Sequence, residues 1–170
     1  MANKILKTVV MVFAVCAACG STVGGYYGLK GMIAEQKDKI PLPETLKEFF
    51  PDYDSAIQLD DTESAYILSA YEVALSSGTA YYYDLESDAA TGFRGSLEFA
   101  IGVQDGTVVS YKFIENISED SMGVGQADDP QLFVGYSLTN TDIETSMTTS
   151  HTYASMEIAV RAALEDAQAR

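Results

Sequence analysis

Two apolar-rich runs, Ser96–Gln104 and Thr107–Glu115, are separated by nothing but Asp105-Gly106. A two-residue Asp-Gly loop accepts positive φ at both positions, and the backbone twist this gives matches the right-handed twist of paired antiparallel strands. The chain therefore has to double back here, which commits this region to an antiparallel sheet. Alternation along the first run sets Leu97, Phe99 and Ile101 on one face and Glu98 and Ala100 on the other. Upstream, Ala65–Leu75 is rich in Tyr, Ile, Val and Ala, and Ser76-Ser77-Gly78 supplies turn residues. Ala80-Tyr81-Tyr82-Tyr83 then returns, which predicts a second hairpin. Tyr81 and Tyr83 must share a face opposite Tyr82.

The final segment changes period. From Thr152 to Ala169, helical spacing lines up Met156, Ala159, Val160, Ala163 and Ala167 as a stripe to be buried. Glu157, Arg161, Glu165 and Asp166 are predicted to face water. Ala127–Tyr136, interrupted by Pro130, reads as irregular chain whose Phe133 and Val134 plug the core. Near the other end, Glu44–Phe50 predicts a short helix stopped by Pro51, with Leu46, Phe49 and Phe50 on the face that docks on the sheet. Glu86–Thr91 is a polar loop. The expected class is α+β, a twisted antiparallel sheet packed with helices and preceded by one N-terminal transmembrane helix.

That last expectation rests on residues 8–29, which carry no charge, with Lys4 and Lys7 before the run and Lys30 after it. As a helix rising about 1.5 Å per residue the run reaches ~33 Å, enough for a hydrocarbon core of about 30 Å. The leading lysines favour a cytoplasmic amino terminus. A single-pass protein of the plasma (inner) membrane follows, with its C-terminal domain extracytoplasmic. Ala17-Ala18-Cys19-Gly20-Ser21 also fits a lipid-attachment site, with Cys16 where a leucine-like residue is usual, and a cleaved signal is a third reading. The apolar run continues past Cys19 through Val23, Tyr26, Tyr27 and Leu29, which favours a retained anchor. The organisation read from this is 1–30 anchor, 31–64 membrane-proximal helical segment and 65–170 main domain.

Charge and cysteine usage remove several classes of function. The net charge is −15, and after Ile40 five basic side chains stand against 23 acidic ones. Affinity for polyphosphate comes from basic clusters, so no nucleic-acid partner is expected. Cys16 and Cys19 are the only cysteines, both inside the apolar run, so the main domain has no disulfide. Iron–sulfur clusters take four thiolates, and a single histidine gives no metal site. No Ser-His-Asp arrangement, Walker loop or zinc spacing is present.

Three polar segments remain to be explained. Asp142-Ile143-Glu144-Thr145-Ser146-Met147-Thr148 lies just before the final helix. Helix N-termini present unpaired N–H groups and partial positive charge, so a phosphate ester is favoured there. The same segment also fits an ordinary polar lead-in to a helix. Gly92-Phe93-Arg94-Gly95 and Asp120-Ser121-Met122-Gly123-Val124-Gly125 put glycines on two loops, where a planar ligand can approach a backbone that lacks Cβ atoms. Plain turns would use the same glycines. His151 is expected to be exposed at the helix start.

In this order the three segments resemble the FMN-binding domain family of bacterial respiratory complexes. The resemblance is to the G subunit of the Rnf electron-transport complex and its relative, the C subunit of the sodium-pumping NADH:quinone oxidoreductase. Of the family pattern Asp-x-x-Ser/Thr-Gly-Ala-Ser/Thr, this chain has Asp142, Thr145 and Thr148, with Ser146 and Met147 in place of Gly-Ala. Asp120–Gly125 stands where the family has Glu-Thr-Pro-Gly-Leu-Gly, and both glycines are kept. The resemblance implies FMN joined through its phosphate to Thr148. Asp142, Thr145, Thr149 and Ser150 would lie around the phosphate, and Gly92, Phe93, Gly95, Gly123 and Gly125 against the ring. It also implies a flavin transferase during maturation, partner subunits in a membrane ion-translocating complex, and an electron-carrying subunit rather than a stand-alone catalyst. Two other readings stay open: a lipid-anchored FMN carrier in extracellular electron transfer, and a flavin-free accessory or assembly domain of a membrane complex.

Overall fold

Helix α1 (Glu44–Phe49) is followed by strands β1 (Ser55–Gln58), β2 (Ile67–Leu75), β3 (Gly78–Glu86), β4 (Leu97–Gln104) and β5 (Thr107–Asn116), then by helix α2 (Ser150–Ala169). The computed structural model describes residues 41–92, 95–118, 126–141 and 150–170. The strands form one antiparallel sheet in chain order, β1-β2-β3-β4-β5, so each strand pairs with its sequence neighbour. Such a meander closes only short loops and keeps the entropic cost of closure low. The β4–β5 turn takes the conformation expected of Asp-Gly, with φ of 51° at Asp105 and 70° at Gly106.

Both faces of the sheet are covered, by different helices. Tyr83, Leu85, Phe99 and Ile101 point to the face packed by Met156, Ala159, Val160, Ala163 and Leu164 of α2. Phe133, from the irregular segment, is buried in the same cluster as expected; Val134 is only partly buried against it, and Tyr136, not named from the sequence, is buried there too. On the other face Tyr71, Val73, Ala80, Tyr82 and Ala100 meet Leu46 and Phe50 at α1. The run of three tyrosines thus serves two cores, Tyr83 in one and Tyr82 in the other.

Gly102 is why so short a helix can dock. A Cβ there would stand 2.9 Å from Cζ of Phe50 and 3.3 Å from Cδ2 of Phe49. Gly102→Val is expected to cost about 1–3 kcal/mol through overpacking. Gly102→Ala should cost less, and urea denaturation of the two variants beside the wild type measures the difference.

The structure departs from the sequence reading in two places. The stretch 31–64, expected to be helical, contains α1 but also contributes strand β1 to the sheet. Four residues at a sheet edge, with Ile57 exposed, are too few for alternation to register. Glu157 and Asp166 were expected to face water. Instead Glu157 accepts a 2.5 Å hydrogen bond from the Tyr136 phenol, and Asp166 one of 2.8 Å from the Tyr83 phenol. Buried tyrosines need an acceptor, and the helix supplies it. Glu165 and His151 are exposed as expected. The candidate membrane helix over residues 8–29 lies outside the described residues. Among the described ones, no helix is long and apolar enough to cross a membrane.

Candidate functional site

The ends of four elements meet on one side of the domain. β3 ends at Glu86, β4 begins at Leu97, β5 ends at Asn116 and α2 begins at Ser150. Ladder pairs Glu86↔Glu98 and Leu97↔Asn116 set the strand ends side by side. The loops leaving them are then laced together by the backbone. Ser87 N–H donates to Leu97 O at 2.9 Å, and Ile117 and Ser118 N–H both donate to Ser96 O, at 3.1 and 3.2 Å. Asp88 N–H donates to Ser155 O of α2 at 3.1 Å, which ties the β3–β4 loop to the helix. Serine hydroxyls satisfy what the backbone leaves over. Ser87 Oγ accepts from Leu97 N–H at 2.9 Å, Ser118 Oγ accepts from Ser96 N–H at 3.2 Å, and Ser155 Oγ donates to Thr152 O at 2.7 Å.

Asp88 organises the loop between β3 and β4. Its carboxylate accepts from Ala90 N–H at 3.3 Å, Thr91 N–H at 3.1 Å and the Thr91 hydroxyl at 2.6 Å. Aspartates favour such turns because a short side chain can stand in for a backbone carbonyl. The Thr91 hydroxyl, ahead of the two backbone donors, holds the carboxyl below its ordinary range. Asp88 O also accepts from Gly92 N–H at 2.9 Å, which delivers the chain to Gly92.

The two described glycines of this loop are closed against protein. A Cβ on Gly92 would lie 2.7 Å from Gly95 O, 3.3 Å from Asp88 O and 3.4 Å from Ser155 Oγ. A Cβ on Gly95 would overlap the backbone carbonyl and the hydroxyl of Ser118. Glycine is thus required here for the β3–β4 loop to nest against the chain leaving β5.

Of the site residues named from sequence, Gly92, Gly95 and Ser150 are described. Gly92 and Gly95 lie at the junction of loop stems, and Ser150 opens α2. Phe93, Gly123, Gly125, Asp142, Thr145, Thr148 and Thr149 fall outside the described residues. One turn into α2, Tyr153 stacks on Phe133 with ring centroids 4.9 Å apart and planes 16° apart. Burial, reinforced by Glu157, pushes its phenol up to about 12, so it stays neutral at ordinary pH. Sequence reasoning passed over Asp88, Ser87, Ser96 and Ser118. Asp88-x-x-Thr91-Gly92 was the available signal, a side-chain turn leading into glycine.

Elsewhere, a cleft of about 570 Å³ opens beside the C-terminal end of α2, lined in part by Asp61, Glu63 and Glu165. Its basic group is already held. Arg170 makes two bonds to Asp166, at 2.8 and 3.0 Å, and one to Asp61 at 3.0 Å. Among the described residues, no group of His, Cys, Asp and Glu could hold a metal ion. Comparison with protein-family models, with curated proteins and with solved structures found no match to this chain.

Proposed function

We propose that this chain is a membrane-anchored, extracytoplasmic electron carrier that holds FMN as a phosphodiester on Thr148, within an Rnf-like ion-translocating complex. The observation that supports the reading is the meeting of the β3–β4 loop with the chain leaving β5 and with the first turns of α2. Of the segments that resemble the FMN-binding family, 92–95 lies in that loop, 120–125 follows β5 and 142–148 leads into α2. Their flanking residues touch: Gly95 meets Ser118, and Gly92 and Asp88 meet Ser155. Bound FMN would supply the redox chemistry. The chain's part is to hold the phosphate at the start of α2 and the ring among the glycine loops. A threonine hydroxyl is a weak nucleophile at neutral pH, so attachment needs a dedicated flavin transferase.

Co-expression with such a transferase, followed by intact mass and in-gel fluorescence of the denatured band, tests this. The wild type should carry one FMN-phosphoryl adduct, and Thr148→Val should lose all of it. A wild-type mass equal to the bare polypeptide would overturn the covalent site.

One observation favours the accessory reading, in which no flavin is held. Gly92 and Gly95 are accounted for by packing against Ser155 and Ser118, with no ligand required. Native protein that contains no flavin but co-purifies with membrane subunits would select that reading.

A further inference from the structure

We propose that Glu98, set between Glu86 and Glu115 and near Asp84 on one face of the sheet, takes up a proton on mild acidification, which tightens the loop-bearing end of the sheet that its charge slackens near neutrality. The geometry is a matter of register. Glu86 of β3 lies opposite Glu98 of β4, and Glu98 lies opposite Glu115 of β5, so three carboxyl groups cross adjacent strands in one line. Asp84, two residues before Glu86, lies on the same face. Like charges directly opposed across neighbouring strands weaken the pairing. This row sits where β3 ends, β4 begins and β5 ends, beneath the loop stems described above.

The described cations are engaged elsewhere. Lys112, opposite Ala100 on β5, is held by Glu48 of α1 at 2.5 Å. Lys47 pairs with Glu44, Arg161 with Glu157, and Arg170 with Asp61 and Asp166. The neutral groups facing the row act on its flanks. From β2 the Ser69 hydroxyl donates to Asp84 at 2.6 Å, and the Tyr82 phenol donates to Asp84 as well. Ser96 donates to Glu86 at 2.5 Å. The middle member, Glu98, is left with burial and three carboxylate neighbours. Burial first, then Asp84, Glu115 and Glu86, raise its carboxyl above the ordinary glutamate value.

The sign follows from linkage. A carboxyl that titrates higher in the folded than in the unfolded chain binds its proton more tightly when folded. Stability therefore falls as pH rises from the unfolded value of 4.5 through the raised folded one, and the penalty is complete above it. This is opposite to the usual carboxylate, and to Asp88 in the neighbouring loop.

The test compares wild type with Glu98→Gln across pH. The variant is isosteric and removes the central charge. At about pH 7 its urea midpoint should exceed that of the wild type, and the gap should close as pH is lowered to 4.5 and below. In the wild type, amide-exchange protection at Leu97, Ile117 and Ser118, corrected for intrinsic rates, should rise over the same interval. Carbon-13 NMR should show Glu98 titrating above the ordinary glutamate value. A stability gap that stays constant with pH would overturn the proposal and leave Glu98 a structural residue only. A Glu98 carboxyl titrating at or below the ordinary value would overturn it too, and is the result expected if Arg94, outside the described residues, supplies a countercharge.

Discussion

Phe133→Ala is expected to remove about 3–5 kcal/mol of folding stability, the range for truncating a large buried aromatic. Domains of this kind are stable by only about 5–15 kcal/mol, so the variant should stand near the edge of folding. Phe133 is fully buried and forms the hub of the aromatic cluster under α2. Its ring centroid lies 4.9 Å from Tyr153, 5.9 Å from both Tyr111 and Tyr136, and 6.4 Å from Phe99. It also carries a backbone φ of 67°, in the left-handed region that side chains with a Cβ avoid at a cost of about 1–2 kcal/mol. A second result follows from that strain. Phe133→Gly loses the same ring but relieves the backbone, so it should be at least as stable as Phe133→Ala. In ordinary backbone, glycine is the worse of the two by about 0.5–1 kcal/mol. Urea midpoints of the three proteins decide the point. A Gly variant clearly below the Ala variant would show that the strain is not borne by the native chain.

Gly95→Ala should destabilise the protein without any cofactor present, by about 1–3 kcal/mol for an overpacked site that cannot relax freely. The added methyl would meet the carbonyl group of Ser118, which is backbone and cannot swing aside like the tip of a side chain. Ser118 is in turn held by its N–H to Ser96 O and by its hydroxyl, which accepts from Ser96 N–H. The effect should therefore spread to the Ser96 and Ile117 amides, and hydrogen exchange would show them losing protection first. The outcome also separates two reasons for having glycine here. If Gly95 served only to let a flavin approach, alanine would leave the flavin-free protein unchanged and lower only flavin content. Packing against Ser118 predicts the loss in the bare polypeptide.

Much of the architecture was legible because its signals are local. Asp105-Gly106 sets a hairpin through two backbone angles, and period-two alternation then assigns Leu97, Phe99 and Ile101 to one side. The stripe through Met156, Ala159, Val160 and Ala163 names the buried face of α2. Strand β1 was missed because a four-residue edge strand owes its existence to its partner β2 rather than to its own pattern. The environments of Glu157 and Asp166 were misjudged for a related reason. Charged residues beside a buried stripe look solvated until the phenols of Tyr136 and Tyr83 are placed across the core from them.

The candidate site divides along the same line. Residue order alone determined that an antiparallel meander ends in an amphipathic helix, and which hydroxyls and glycines precede that helix, because turn chemistry and hydrophobic period act over a few neighbouring residues. Only the tertiary structure decided that the chain near Gly95 and Ser118 touches, that Gly92 lies against α2, and that Glu86, Glu98 and Glu115 fall in one row. Contacts between residues far apart in the chain depend on strand register and helix docking. Those are settled by the packing of two cores at once, through Tyr83 and Phe133 on one side and Tyr82 and Phe50 on the other.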